Sequence, residues 1–171
     1  MTLAPTLSTE RLTLRPMTAG DFVAYEAFLA SGRSVYMGGP FATKAAWGMF
    51  CHDVALWDLY GHGALMVDRR DGGGTAGQVG INAGPLFPEP ELGWFLYDGH
   101  LEQGYATEAA ACLRDWAFDT LGLPSLVSYM DPANGASARV AERLGATLDP
   151  AATPQDEGDL VYRHTRPGRL S

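Results

Sequence analysis

Residues 101–108 read LEQGYATE, and the fold is decided there. An apolar run, LGWFLY at 92–97, leads into this stretch and reads as a strand. After it, Ala106, Ala109, Leu113, Trp116, Ala117 and Leu121 recur near the helical period, predicting a helix over 104–121. Gly122 and Pro124 stop it. A strand therefore enters a helix through Gly104. Small residues at Gly104 and Ala106 let another molecule approach the main chain. The first N–H groups of a helix have no partner within it, and its dipole is positive at that end. Such a turn suits a diphosphate, although an ordinary helix start would use the same residues. The rest of the chain has to decide between them.

Downstream, 125–130 reads as a strand, and DPANGAS at 131–137 as a turn opening a helix over 134–144, with Asn134 as its cap. Candidate final strands are 146–148 and 159–164. Upstream, 64–69 and 78–84 read as a hairpin around DGGG at 71–74. A helix over 43–59 precedes it, with Trp47, Phe50, Val54 and Trp57 on one face and Gly61 and Gly63 closing it. Gly38-Gly39-Pro40 breaks the chain. Before that come a helix over 19–30, opened by Thr18 and Asp21, and a strand over 10–15. There is no internal repeat. The expectation is one α/β domain over 1–171, its core at about 9–165, with a loose tail at 166–171.

The 171 residues suffice for a substantial core. The net charge of −8 opposes a phosphate backbone, so nucleic acid is not expected as a partner, whereas a cationic amine is compatible. No apolar run is long enough to span a membrane, and residues 1–10 lack a signal-peptide layout, so a cytoplasmic location is expected. Cys51 and Cys112 are expected reduced. His52, His62, His100 and His164 show no metal-ligand spacing, and no metal is expected. Hydrolase-elbow, P-loop and dinucleotide fingerprints are missing.

Four motifs in order then supply the context: ERLTLRP at 10–16, ELGW at 91–94, QGYATEA at 103–109, and PANGASARVAERLG at 132–145. Together they resemble the GCN5-related N-acetyltransferases, the GNAT superfamily, and most of all the branch with the ribosomal-protein-alanine N-acetyltransferases. The resemblance runs from about 9 to 163. It implies a mixed, strongly twisted sheet of six to seven strands with helices on both faces. It implies that the family's fourth and fifth strands splay apart and hold acetyl-CoA in the wedge. By the same resemblance, the backbone of Phe95, Leu96 and Tyr97 would pair with the pantetheine arm. Gln103, Gly104, Tyr105, Ala106 and Thr107 would hold the pyrophosphate. Asn134 and Ser137 would lie near the thiol end, with Arg139 and Arg143 near the phosphates. Two departures stand out: Leu101 replaces a frequent Arg or Gln, and Glu102 replaces a frequent glycine.

The implied reaction is attack of an amine on a thioester. A lysine-like amine titrates near 10.4, so a base must take its proton. Glu91, opening the strand at the wedge, is the first candidate base. An oxyanion would meet a backbone N–H at Phe95 or Leu96. Many relatives carry a tyrosine acid where this chain has Ala141, which leaves Ser137 as the candidate by position, and Tyr129 and Tyr97 behind it. Tyr36, Met37, Phe41, Phe87 and Trp94 could line an acceptor pocket. The alternative is a non-catalytic CoA-binding or interaction domain. A homodimer is compatible with the sequence.

Overall fold

The computed structural model describes residues 3–168. Eight strands form one sheet, in the order β1-β2-β3-β4-β5-β6-β8-β7. They are β1 (Leu7–Ser8), β2 (Leu12–Arg15), β3 (Ala64–Arg69), β4 (Thr75–Asn82), β5 (Glu91–Leu96), β6 (Ser125–Met130), β7 (Thr147–Leu148) and β8 (Leu160–Thr165). The four helices are α1 (Phe22–Ala30), α2 (Thr43–Tyr60), α3 (Tyr105–Trp116) and α4 (Gly135–Arg143). The strand count exceeds the expected six to seven because Leu7 and Ser8 pair with Leu14 and Thr13. All neighbouring strands are antiparallel except β5 and β6. That parallel pair is the one joined by a helical crossover, α3.

Side-chain alternation sorts the sheet into two faces. Val67, Val79, Ile81, Leu92 and Leu96 pack with Ala109 and Leu113 of α3. The neighbouring positions, Phe95 and Tyr97, pack with Tyr25, Phe28 and Phe50 of α1 and α2. Helices thus cover both faces, as an α/β sheet of this kind requires.

Helix α2 departs from its predicted face. Phe50 and Trp57 are buried, but Trp47 and Val54 are 48% and 44% exposed. The buried residues are Ala46, Phe50, Asp53, Leu56 and Trp57. The helix is rotated so that Asp53 as well as Trp57 turns inward, in place of Trp47 and Val54. Between α1 and α2, residues Gly32–Met37 form a 3-10 segment that the sequence pattern did not suggest. Arg166, in the expected loose tail, bonds Asp119 at 2.8 Å. Residues 169–171 of that tail lie outside the described residues.

The wedge has an identifiable cause. β5 and β6 share a single register pair, Glu91 with Val127. Val127 N–H donates to the Pro90 carbonyl at 3.1 Å. The next parallel rung would carry Tyr129 N–H to the Leu92 carbonyl. That carbonyl instead accepts the Ser128 hydroxyl at 2.6 Å. The Tyr129 amide lies close enough to the Glu91 carboxyl to favour its ionised form. A side-chain hydroxyl has taken the carbonyl of that rung, and beyond it the strands share no further register pair.

Candidate active site

One cavity, of about 670 Å³, occupies the wedge. Its wall includes Leu96, Glu102, Gly104, Thr107, Ser137 and Arg143. Gly104 caps α3 at φ +81°, where a side chain would be strained. Within the helix the first N–H groups after Gly104, at Tyr105, Ala106 and Thr107, have no partner. Arg11 braces the turn from below. It donates to the Gln103 carbonyl at 2.8 Å, pairs with Glu108 at 2.7 Å and lies 4.7 Å from the Tyr105 ring centre. Burial pushes the Glu108 carboxyl up, but bonds from Thr9 and Arg11 outweigh it and hold the group below its usual range. Gln103 and Tyr105 do not line the cavity. The Gln103 amide turns to the Gly99 carbonyl, and the Tyr105 ring is buried in the core.

Strand parity corrects the reading of β5. Tyr97 N–H already donates to the Ala76 carbonyl at 2.8 Å, and Phe95, of the same parity, sits opposite Gln78 on β4. Of the three backbones expected at the wedge, only that of Leu96 faces it, and Trp94 joins it by parity. The Leu96 carbonyl accepts Arg33 Nη1 at 2.6 Å. Arg33, Arg139 and Arg143 give this cavity a basic lining, against one carboxylate, Glu102.

A second cavity, of about 630 Å³, opens on the α1–α2 side. The two meet at Tyr36, Met37, Trp94, Phe95, Asn134 and Ser137. Asn134 caps α4 by accepting Ser137 N–H at 3.2 Å. Glu91 lies at the wall, where Asn82 Nδ2 donates to Oε1 at 2.9 Å. Burial pushes its carboxyl up to about 7, against the pull of the Asn82 and Tyr129 donors. Tyr129 also lines the cavity, its hydroxyl accepting Glu89 N–H at 3.0 Å. Tyr97 lines neither cavity. Ala141 is fully buried, packed with Met130, Ala146 and Tyr162.

Sequence reasoning missed Asp53. It is 9% exposed and lines the second cavity. Tyr25 Oη and Gln78 Nε2 donate to its Oδ2 at 2.9 and 3.1 Å. His52 Nδ1 approaches Oδ1 at 3.5 Å, and that neighbour holds the imidazole above its usual value. The only signal available was the four-residue interval between Asp53 and Trp57 along α2. Among the described residues, no three metal-ligating side chains gather into a candidate metal site.

A family description, the acetyltransferase (GNAT) domain, matches residues 11–147. The chain belongs to the GNAT acetyltransferase family. The crystal structure of an acetyltransferase from Agrobacterium tumefaciens str. C58 is 60% identical, with 96% of each chain covered and a TM-score of 0.93. An uncharacterized protein of Bacillus subtilis (strain 168), YkkB, is 32% identical over 96 residues. That match takes in 55% of this GNAT chain and 51% of YkkB, so it spans about half of that curated relative. RimL, a ribosomal L7/L12 alpha-N-protein acetyltransferase solved with coenzyme A, shares the GNAT fold at 16% identity. Its TM-score is 0.76, over 94% of this chain and 98% of that one. No helix among the described residues of this GNAT protein is long and apolar enough to cross a membrane.

Proposed function

We propose that this chain is an N-acetyltransferase, one domain over 1–171, acting in the cytoplasm. It moves an acetyl group from acetyl-CoA directly to a primary amine of a small molecule or a peptide N-terminus, with both bound together. One observation carries the reading: a basic cleft at a helix N-terminus opens, where β5 leaves β6, into a cavity holding Glu91.

The residues present fit acetyl-CoA. The amides after Gly104 and the cationic side chains Arg139 and Arg143 suit its phosphates. The main chain at Trp94 and Leu96 suits its amide-bearing arm. When bound, acetyl-CoA supplies the acetyl group as a thioester. Glu91 does the proton work. A carboxyl near 7 is half ionised at neutral pH and can take a proton from an incoming ammonium, directly or through one water. Asn82 fixes the carboxyl's position. Ser137 lines both cavities, and in this reading its hydroxyl hydrogen-bonds the departing sulfur, which with a pKa near 8.5 needs little acid help.

The non-catalytic alternative draws on one observation, the alanine at 141 where relatives often carry a phenol. Thiol release from acetyl-CoA over a panel of amines separates the two readings. Release with some amine supports the enzyme; calorimetric CoA binding with no release above background supports the alternative. Glu91→Gln is expected to lower kcat/KM roughly a hundredfold. The base works deprotonated, so the wild-type rate rises with pH through about 7, and that limb vanishes in the variant. A superimposable pH profile removes Glu91 from the role.

A further inference from the structure

The floor of the second cavity has a pattern that the transfer reaction alone does not need. Along β4, Gln78, Gly80 and Asn82 share one face, and all three line the cavity. Opposite Gly80 on β5 stands another cavity-lining glycine, Gly93. The middle of the floor is therefore bare backbone, and each end carries an amide that holds a carboxylate. Gln78 holds Asp53, and Asn82 holds Glu91. Glu91 Oε1 reaches back over the floor, 3.3 Å from where a Gly93 Cβ would stand. Gln78 and Asn82 lie four strand positions, roughly 13 Å, apart along β4, so the two carboxylates face the floor from opposite ends.

Charge points the same way. Among the described residues, no lysine or arginine lines this cavity, and His52 is its one basic side chain. His52 comes no nearer than 3.5 Å to Asp53 Oδ1, too far for a good hydrogen bond. The Tyr25 and Gln78 bonds both fall on Oδ2, so Oδ1 faces only the more distant His52 and can accept from an occupant. A carboxylate or phosphate on the acceptor would meet two acids. A second cation would meet a ready anchor. Tyr25 and Gln78 stiffen that anchor from α1 and β4, which lowers the entropy lost on binding.

We infer that the acceptor is a small dibasic amine. One nitrogen is acetylated beside Glu91, and the other, as an ammonium, pairs with Asp53. Asp53 is then a specificity-determining residue. This rests on the acyl-transfer reading above and narrows its substrate.

The test compares terminal diamines, from diaminopropane to diaminooctane, with monoalkylamines of matching length, by thiol release from acetyl-CoA. A charged hydrogen bond retained through the reaction predicts a best diamine favoured over its monoamine by roughly tenfold or more in kcat/KM. Asp53→Asn should collapse that ratio, chiefly through KM. In a second readout, without acetyl-CoA, the favoured diamine should raise the melting temperature of the wild-type protein and not that of Asp53→Asn. Equal kcat/KM for diamines and monoamines in the wild type overturns the inference without any variant and leaves acyl transfer standing. A ratio that persists in a folded Asp53→Asn protein also overturns it. Release with no amine would overturn the acyl-transfer reading and this one with it, whereas monoamine turnover alone would spare the former.

Discussion

Glu102 sits at φ +59°, a left-handed conformation that suits glycine and strains a residue with a Cβ. It also lines the wedge cavity, where two phosphates are proposed to bind. Both facts argue against glutamate here, and each makes a separable prediction for Glu102→Gly. Relief of left-handed strain favours the folded state, while the greater freedom of an unfolded glycine opposes it, so stability should move by less than about 1 kcal/mol. Affinity is another matter. Removing one negative charge a few ångströms from a diphosphate, at the high effective dielectric of an open cleft, should lower the CoA dissociation constant roughly two- to tenfold. The gain should shrink as salt is added. Calorimetry at low and at moderate ionic strength measures it. An unchanged or weaker affinity would mean that the carboxylate points away from the bound phosphates, or serves them through a cation.

The strand-turn-helix element shows what a sequence can and cannot display. The Gly104 turn was legible because its signals are local: a glycine, small neighbours and a helical period. Its support was not. Arg11 belongs to β2's approach yet bonds Gln103 and Glu108, 92 and 97 residues away. The motif at 10–16 thus includes the brace of a turn on another element. The same contrast holds at the wedge. β5 and β6 could each be read from their composition, but not the break between them, where the Ser128 hydroxyl takes the Leu92 carbonyl that the next rung would use. Asp53 was illegible for a related reason: an acid on a helix reads as solvated until Tyr25 and Gln78 are brought to it from 28 and 25 residues away. The brace yields a prediction. Arg11→Ala removes a cation that touches neither cavity, so it should raise KM for acetyl-CoA several-fold with little change in kcat. The loss in stability should be about 1 kcal/mol, as for a half-exposed ion pair with added hydrogen bonds. An effect on kcat with KM unmoved would assign Arg11 to something other than shaping the turn.

Across the whole molecule, buried groups tie stability to pH with opposite signs, His164 and Glu91 among them. His164, 1% exposed, bonds Ser128 through Nε2, and burial aided by the nearby Arg114 pushes it down to about 4. An unfolded chain would protonate it near 6.5. As pH falls from about 6.5 to about 4, the unfolded state binds a proton that the folded state refuses, and stability is lost. Glu91 works the other way. Its folded value is about 7 against an ordinary 4.5, so stability is lost as pH rises through that interval. Each slope is about 1.4 kcal/mol per pH unit, and they overlap between about 4.5 and 6.5. The carboxyls of Asp21 and Glu108, held below their usual range, withdraw their support only at lower pH. Across the overlap Glu91 therefore opposes His164, while buried His62, also held below its usual value, adds to the rise of stability with pH. Glu91→Gln leaves the histidines unopposed, and urea unfolding should then gain about 3 kcal/mol from pH 4.5 to pH 6.5. His164→Gln should tilt the profile in the opposite sense. Parallel profiles for the wild type and Glu91→Gln would show that the carboxyl titrates in the folded protein as it does in the unfolded chain. The proposed base would then lack the raised pKa that suits it to neutral pH.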